Sequence, residues 1–109
     1  MGFEIVMYSR SYGCPYTRRA KRVLDRYQIS YREIHINQVP AAKERVIQWT
    51  GFESVPTIIV ANAGEDLPHQ APATLASGAS PKGVNRGSMI TEPSEEQLTE
   101  WLRQNVLID

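Results

Sequence analysis

At 109 residues, with 12 basic and 12 acidic side chains, the chain has the length of one domain (1–109) and no net charge, which excludes binding to nucleic acid driven by bulk charge. A single cysteine excludes an internal disulfide framework and favours a reducing compartment, so a cytoplasmic protein is expected. No apolar stretch approaches the ~20 residues that span a bilayer, and no basic segment leads into a long apolar run at the N-terminus, so neither a membrane association nor a secretory signal is expected.

Phe3 to Tyr8 is a short run of strand-forming residues and reads as a buried central strand, followed by a turn over Ser9 to Gly13. A helix is predicted from Pro15 to Gln28, because proline suits the first helical position and Ala20, Val23, Leu24 and Tyr27 recur on one face. Ser30 to Ile36 reads as a second strand, and a strand–helix–strand unit this short predicts two parallel strands. A second helix is predicted from Pro40 to Thr50, with Asn37 as its cap, Gly51 just beyond its end, and Val39, Ala42, Val46 and Trp49 on its apolar side. Val55 to Ala61 is a third strand entered through Pro56. Residues 62–86 have no period and few large apolar groups, and they read as a loop insertion between the third and fourth strands. That composition favours a disordered extension over a partner-binding loop. Gly87 to Thr91 is a short fourth strand, and Ser94 with Gln97 forms a capping box that opens a last helix with Leu98, Trp101 and Leu102 inward. Trp49 and Trp101 sit at core spacing and read as packing residues.

Chemistry concentrates at Cys14, where the first strand gives way to the first helix. Helix N-termini present unpaired N–H groups and partial positive charge, and a thiol placed there ionises more readily into its reactive form. Arg10 and Arg18 stand close by in sequence and would add to that effect. The first 32 residues carry seven basic against two acidic side chains, a bias that reads first as a solvated helix face. His35 and His69 lack the spacing of a Cys/His metal site, so no metal is expected, and any pairing of histidine with Cys14 is left to the fold.

Three stretches carry a resemblance: Cys14-Pro15-Tyr16-Thr17, Tyr31-Arg32-Glu33-Ile34, and Ser54-Val55-Pro56-Thr57. In their order and setting the chain resembles the glutaredoxin family. The resemblance implies an α/β, thioredoxin-like βαβαββα fold, with a four-stranded mixed sheet flanked by three helices. It implies Cys14 as the attacking thiolate, with Thr17 and Arg18 stabilising it. It also implies a cis Val55–Pro56 bond that turns the Val55 backbone toward the sulfur, and Tyr16 lining the groove. Arg10 stands near the place of a family lysine, and Ser94 lies where the family holds the γ-glutamyl end of glutathione; both are expected to bind substrate.

Thr17 occupies the place of the second cysteine of dithiol members, so a monothiol route is expected: Cys14 takes glutathione, or a related small thiol, from mixed disulfides of glutathionylated or disulfide-containing proteins. The alternative is a non-enzymatic module, either an adaptor or a pair of chains sharing an iron–sulfur cluster. Cluster-binding members have Cys-Gly-Phe-Ser, and Pro15 in place of that glycine disfavours a cluster.

Overall fold

An unbroken apolar run, Ile5 to Tyr8, lets the first strand bury both faces, and the rest of the fold follows from that. The computed structural model describes residues 2–105 and 107. The elements are β1 (Phe3–Ser9), α1 (Pro15–Arg26), β2 (Tyr31–His35), α2 (Pro40–Thr50), β3 (Thr57–Asn62), β4 (Met89–Thr91) and α3 (Glu95–Gln104). The sheet order is β2-β1-β3-β4, with β1 parallel to β2 and antiparallel to β3, and β4 antiparallel to β3. This is the mixed thioredoxin-like arrangement that the resemblance implies.

Successive β1 side chains point to opposite faces. Ile5 and Met7 meet Ala20, Val23 and Leu24 of α1 and Leu98, Trp101 and Leu102 of α3. Val6 and Tyr8 face the other way, onto Ala42 and Val46 of α2 and onto Ile59 and Met89. Helices on both sides therefore clamp β1, whose C-terminal end is thereby fixed for the site. No helix among the described residues is long and apolar enough to cross a membrane.

The ends of several elements differ from the sequence expectation. Phe3 is 57% exposed, so burial in β1 begins further in. Helix α1 stops at Arg26 because Gln28 turns to φ 56, which leaves Tyr27 outside the buried face. Asn37 does not cap α2: Val39 is the residue before that helix, without a side-chain cap, and is itself exposed. The Asn37 amide instead accepts from Ser11 N at 3.0 Å and donates to Ser11 Oγ at 2.7 Å. The Ser94–Gln97 capping box and the left-handed Gly51 after α2 are both present.

Residues 63–88 join β3 to β4, and the expected disorder gives way to specific contacts. Arg32 reaches the Asp66 carboxylate at 2.7 Å, and the Tyr8 hydroxyl donates to the Asp66 carbonyl. His69 N donates to Val60 O at 2.9 Å. Arg86 is buried and bonds two carbonyls, Nε to Ala73 at 2.7 Å and Nη1 to Trp49 in the last turn of α2 at 2.6 Å. Burial pulls its guanidinium below the usual range, and the carbonyl end of a helix is a favourable place for such a charge. Gly83 N donates to Thr91 O at 2.7 Å. Gly83 has φ +73, and a Cβ there would lie 2.6 Å from the Gln97 side chain, so no other residue fits without displacement.

Where β1 and β2 end, Glu33 accepts from Ser9 Oγ at 2.5 Å and lies 3.1 Å from Lys21 Nζ and 3.4 Å from His35 Nε2. Burial alone raises this carboxyl, but the hydrogen bonds from Ser9 and Lys21 outweigh it and hold the group below the usual carboxylate range. A depressed folded-state value means stability that is present above the unfolded-state range and is lost as pH falls through the folded value. Glu33→Gln should therefore lower Tm at neutral pH by roughly 4 °C, equivalent to about 1 kcal/mol. Thermal melts across an acid series should show the gap to wild type closing below the Glu33 transition; a gap of constant size would contradict this account.

Candidate functional site

The chain leaves β1 at Ser9 and must turn before Pro15 starts α1, and two anchors shape that turn. One is the reciprocal pair between Ser11 and Asn37. The other is Arg10, whose Nη2 donates to Glu53 O at 3.0 Å and lies 3.9 Å from the Glu53 carboxylate. Glu53 is also 3.6 Å from Lys43. Arg10 thus ties the turn after β1 to the segment that leads into Val55, and its guanidinium is directed to Glu53.

The result places Cys14 at the N-cap of α1, partly exposed, with extended backbone and no side-chain cap bond. Its Sγ lies 4.0 Å from the Val55 carbonyl oxygen. The Val55–Pro56 peptide is cis, as the resemblance implies. Beneath it, Thr57 Oγ1 donates to Ser54 O at 2.9 Å and shares a hydrogen bond with Thr91 Oγ1 at 3.1 Å, while Glu92 N donates to Pro56 O at 2.8 Å. The approach of Val55 to the sulfur is thus braced from β4.

The first turn of α1 supplies the other expected residues. Thr17 is buried, and its Oγ1 has no hydrogen-bond partner among the described residues. Arg18 Nη1 stands 3.4 Å from the place a Cβ on Gly13 would take, against the residue preceding Cys14. Tyr16 is half-buried, with Arg19 Cζ 5.1 Å and Lys82 Nζ 4.5 Å from its ring centre. Ser94 lies at the head of α3, where its hydroxyl accepts from Gln97 N at 3.1 Å. Cys14, Val55, Pro56, Tyr16, Thr17 and Arg18 thus share one neighbourhood, whereas Arg10 and Ser94 are held by partners of their own.

Neither histidine joins this neighbourhood: His35 sits against Glu33, and the His69 ring lies 4.5 Å from that of Phe3. No group of three metal-ligating side chains occurs among the described residues. Two cavities of about 380 Å³, one beside Tyr31 and one between the end of α2 and residues 74–79, do not include Cys14. Cys14 is partly exposed, with the N-terminal end of α1 behind its sulfur and the Val55 backbone beside it. Lys82, Glu92 and Glu53 were not anticipated as neighbours of the site, because no local pattern marks a residue that arrives from a distant loop.

The family model described as Glutaredoxin matches residues 5–63, over half of the chain. No curated protein matches in sequence. A buckwheat glutaredoxin–glutathione complex is 30% identical over 51% of this chain and 53% of that one, with a TM-score of 0.44. The match therefore spans about half the length of the buckwheat protein. A glutaredoxin (grx-1) from Archaeoglobus fulgidus is 24% identical over 60% and 73% of the two chains, with a TM-score of 0.45. The holo form of glutaredoxin C1 from Populus tremula x tremuloides is 19% identical over 94% and 77%, with a TM-score of 0.47. The family match runs from β1 through β3, the elements that bring Cys14 to Val55, and on that ground this chain belongs to the glutaredoxin family.

Proposed function

We propose that the chain is a glutathione-dependent thiol–disulfide oxidoreductase that works through Cys14 alone. One observation carries this reading: a partly exposed sulfur stands at the N-cap position of α1, 4.0 Å from the Val55 carbonyl oxygen. The N-terminal end of α1 directs partial positive charge toward the sulfur, and Arg18 beside Gly13 adds a full one. The buried Thr17 hydroxyl, without a partner among the described residues, is the donor this reading assigns to the sulfur anion. The Val55 backbone pairs with the cysteine of an extended glutathione, as an added strand would. Tyr16 lines the groove, and Arg10 and Ser94 reach the ends of the same molecule only by releasing Glu53 and Gln97.

In the first step the Cys14 thiolate attacks the glutathione sulfur of a protein–glutathione disulfide. The old S–S bond breaks, a Cys14–glutathione disulfide forms, and the protein leaves as a thiolate that takes a proton. A second glutathione thiolate then attacks the bound glutathione sulfur, which frees Cys14 and yields oxidised glutathione. One enzyme sulfur suffices, so Thr17 in place of a second cysteine is compatible with turnover. A reducing compartment such as the cytoplasm supplies the second thiol.

Mass spectrometry after exposure to a glutathionylated peptide tests the route. A single glutathionyl adduct should appear on Cys14 faster than free glutathione exchanges with that peptide, and reduced glutathione should remove it. Anaerobic iron–sulfur reconstitution is the companion experiment. A coloured dimer, or a chain that forms no adduct, would overturn the proposal in favour of a non-enzymatic module.

A further inference from the structure

Seven of the 12 basic side chains pair with a carboxylate among the described residues, the loosest at 3.9 Å: Arg10, Lys21, Arg22, Arg26, Arg32, Lys43 and Arg103. Arg45 reaches the Tyr8 hydroxyl, and Arg86 is buried on backbone carbonyls. Three exposed cations are left, Arg18, Arg19 and Lys82, and all three gather at the first turn of α1. Arg19 and Lys82 flank the Tyr16 ring, and Arg18 lies against Gly13. Scattered surface charges are ordinary. Exposed cations that lack a carboxylate partner among the described residues occur only beside the reactive sulfur, and in a chain of zero net charge they make a local field with a direction.

Lys82 comes from the long β3–β4 connection, which therefore adds a positive charge that the rest of the domain does not supply. Hydrogen bonding to Tyr16 holds its ammonium above the usual lysine range, so it stays charged throughout the neutral range. Glu92 is the acidic group that acts on it, without a salt bridge among the described residues.

We propose that Arg18, Arg19 and Lys82 form a docking face for a protein partner whose reactive cysteine is flanked by acidic residues. The sulfur exchange that docking leads to rests on the oxidoreductase reading; the charge of the face does not. Opposite charges around the two sulfurs speed encounter and orient the disulfide, and they discourage partners with basic flanks. Salt should weaken the preference, since the Debye length falls from ~10 Å at 0.1 M to ~3 Å at 1 M.

Two measurements separate this from the reaction itself. The first is the ratio of Cys14 alkylation rates with iodoacetate, an anion, and iodoacetamide, which is neutral; thiolate content cancels in the ratio. Lys82→Glu and Arg19→Glu should each lower it on the order of threefold at low salt. The second compares glutathionylated peptides that differ only in Asp/Glu against Asn/Gln flanks. The acidic peptide should exchange several-fold faster with the wild-type chain, and either variant or high salt should remove that preference. An unchanged reagent ratio in both variants, or equal rates for the two peptides, overturns the docking face. A lowered ratio with no exchange of either peptide supports the face and overturns the oxidoreductase reading instead.

Discussion

Cys14→Ser should reduce thiol transfer from a glutathionylated substrate to the uncatalysed background, a loss of more than about 10³-fold, because the hydroxyl cannot serve as the exchanging sulfur. The same substitution should leave the fold intact or strengthen it. Cys14 makes no cap bond to the first turn of α1, whereas serine is among the preferred N-cap residues and accepts from a first-turn N–H. A gain of about 0.5–1 kcal/mol is expected. Activity and thermal stability should thus move in opposite directions, an outcome that misfolding cannot imitate. Residual turnover near the wild-type rate would end the single-sulfur mechanism.

The largest loss of stability is expected for Trp101→Ala. This side chain is fully buried between α3, α1 and β1, and its Nε1 donates to Gly87 O at 2.8 Å. Removing it leaves a cavity at the point where α3 meets the sheet, with a cost of about 3–5 kcal/mol, a large share of the ~5–15 kcal/mol that holds a domain together. Trp101→Phe keeps most of the packing and gives up the bond to Gly87, whose carbonyl Asn105 still reaches at 3.1 Å, so roughly 1 kcal/mol is expected. Urea unfolding measures both. A Trp101→Ala loss below about 1 kcal/mol would show that α3 is not held by this side chain.

Much of this architecture could be read from local pattern. The apolar run from Phe3 to Tyr8, Pro15 at the head of α1, Gly51 after α2 and the Ser94–Gln97 pair are signals contained within a few residues, and the corresponding elements are present. Asn37 shows where such reading fails. It has the composition of a cap, but Ser11 offers its amide both a donor and an acceptor across the fold. The elements that set Cys14 beside Val55 were legible, because a strand–helix junction and an X-Pro before a strand are written in sequence. Lys82 against Tyr16, Glu92 N on Pro56 and Arg86 on Trp49 were not. Each comes from, or just after, the aperiodic β3–β4 connection, and each partner is chosen by where the chain returns.

That return has a bearing on solubility. Strand β4 ends the sheet, yet its outer side is covered, with Lys82 bridging Thr91, Gly83 N on Thr91 O and Arg86 N on Met89 O. Trimming the connection to a tight hairpin would strip that cover from an apolar strand and leave its amides open to other molecules. Such a shortened chain would be prone to edge-to-edge aggregation.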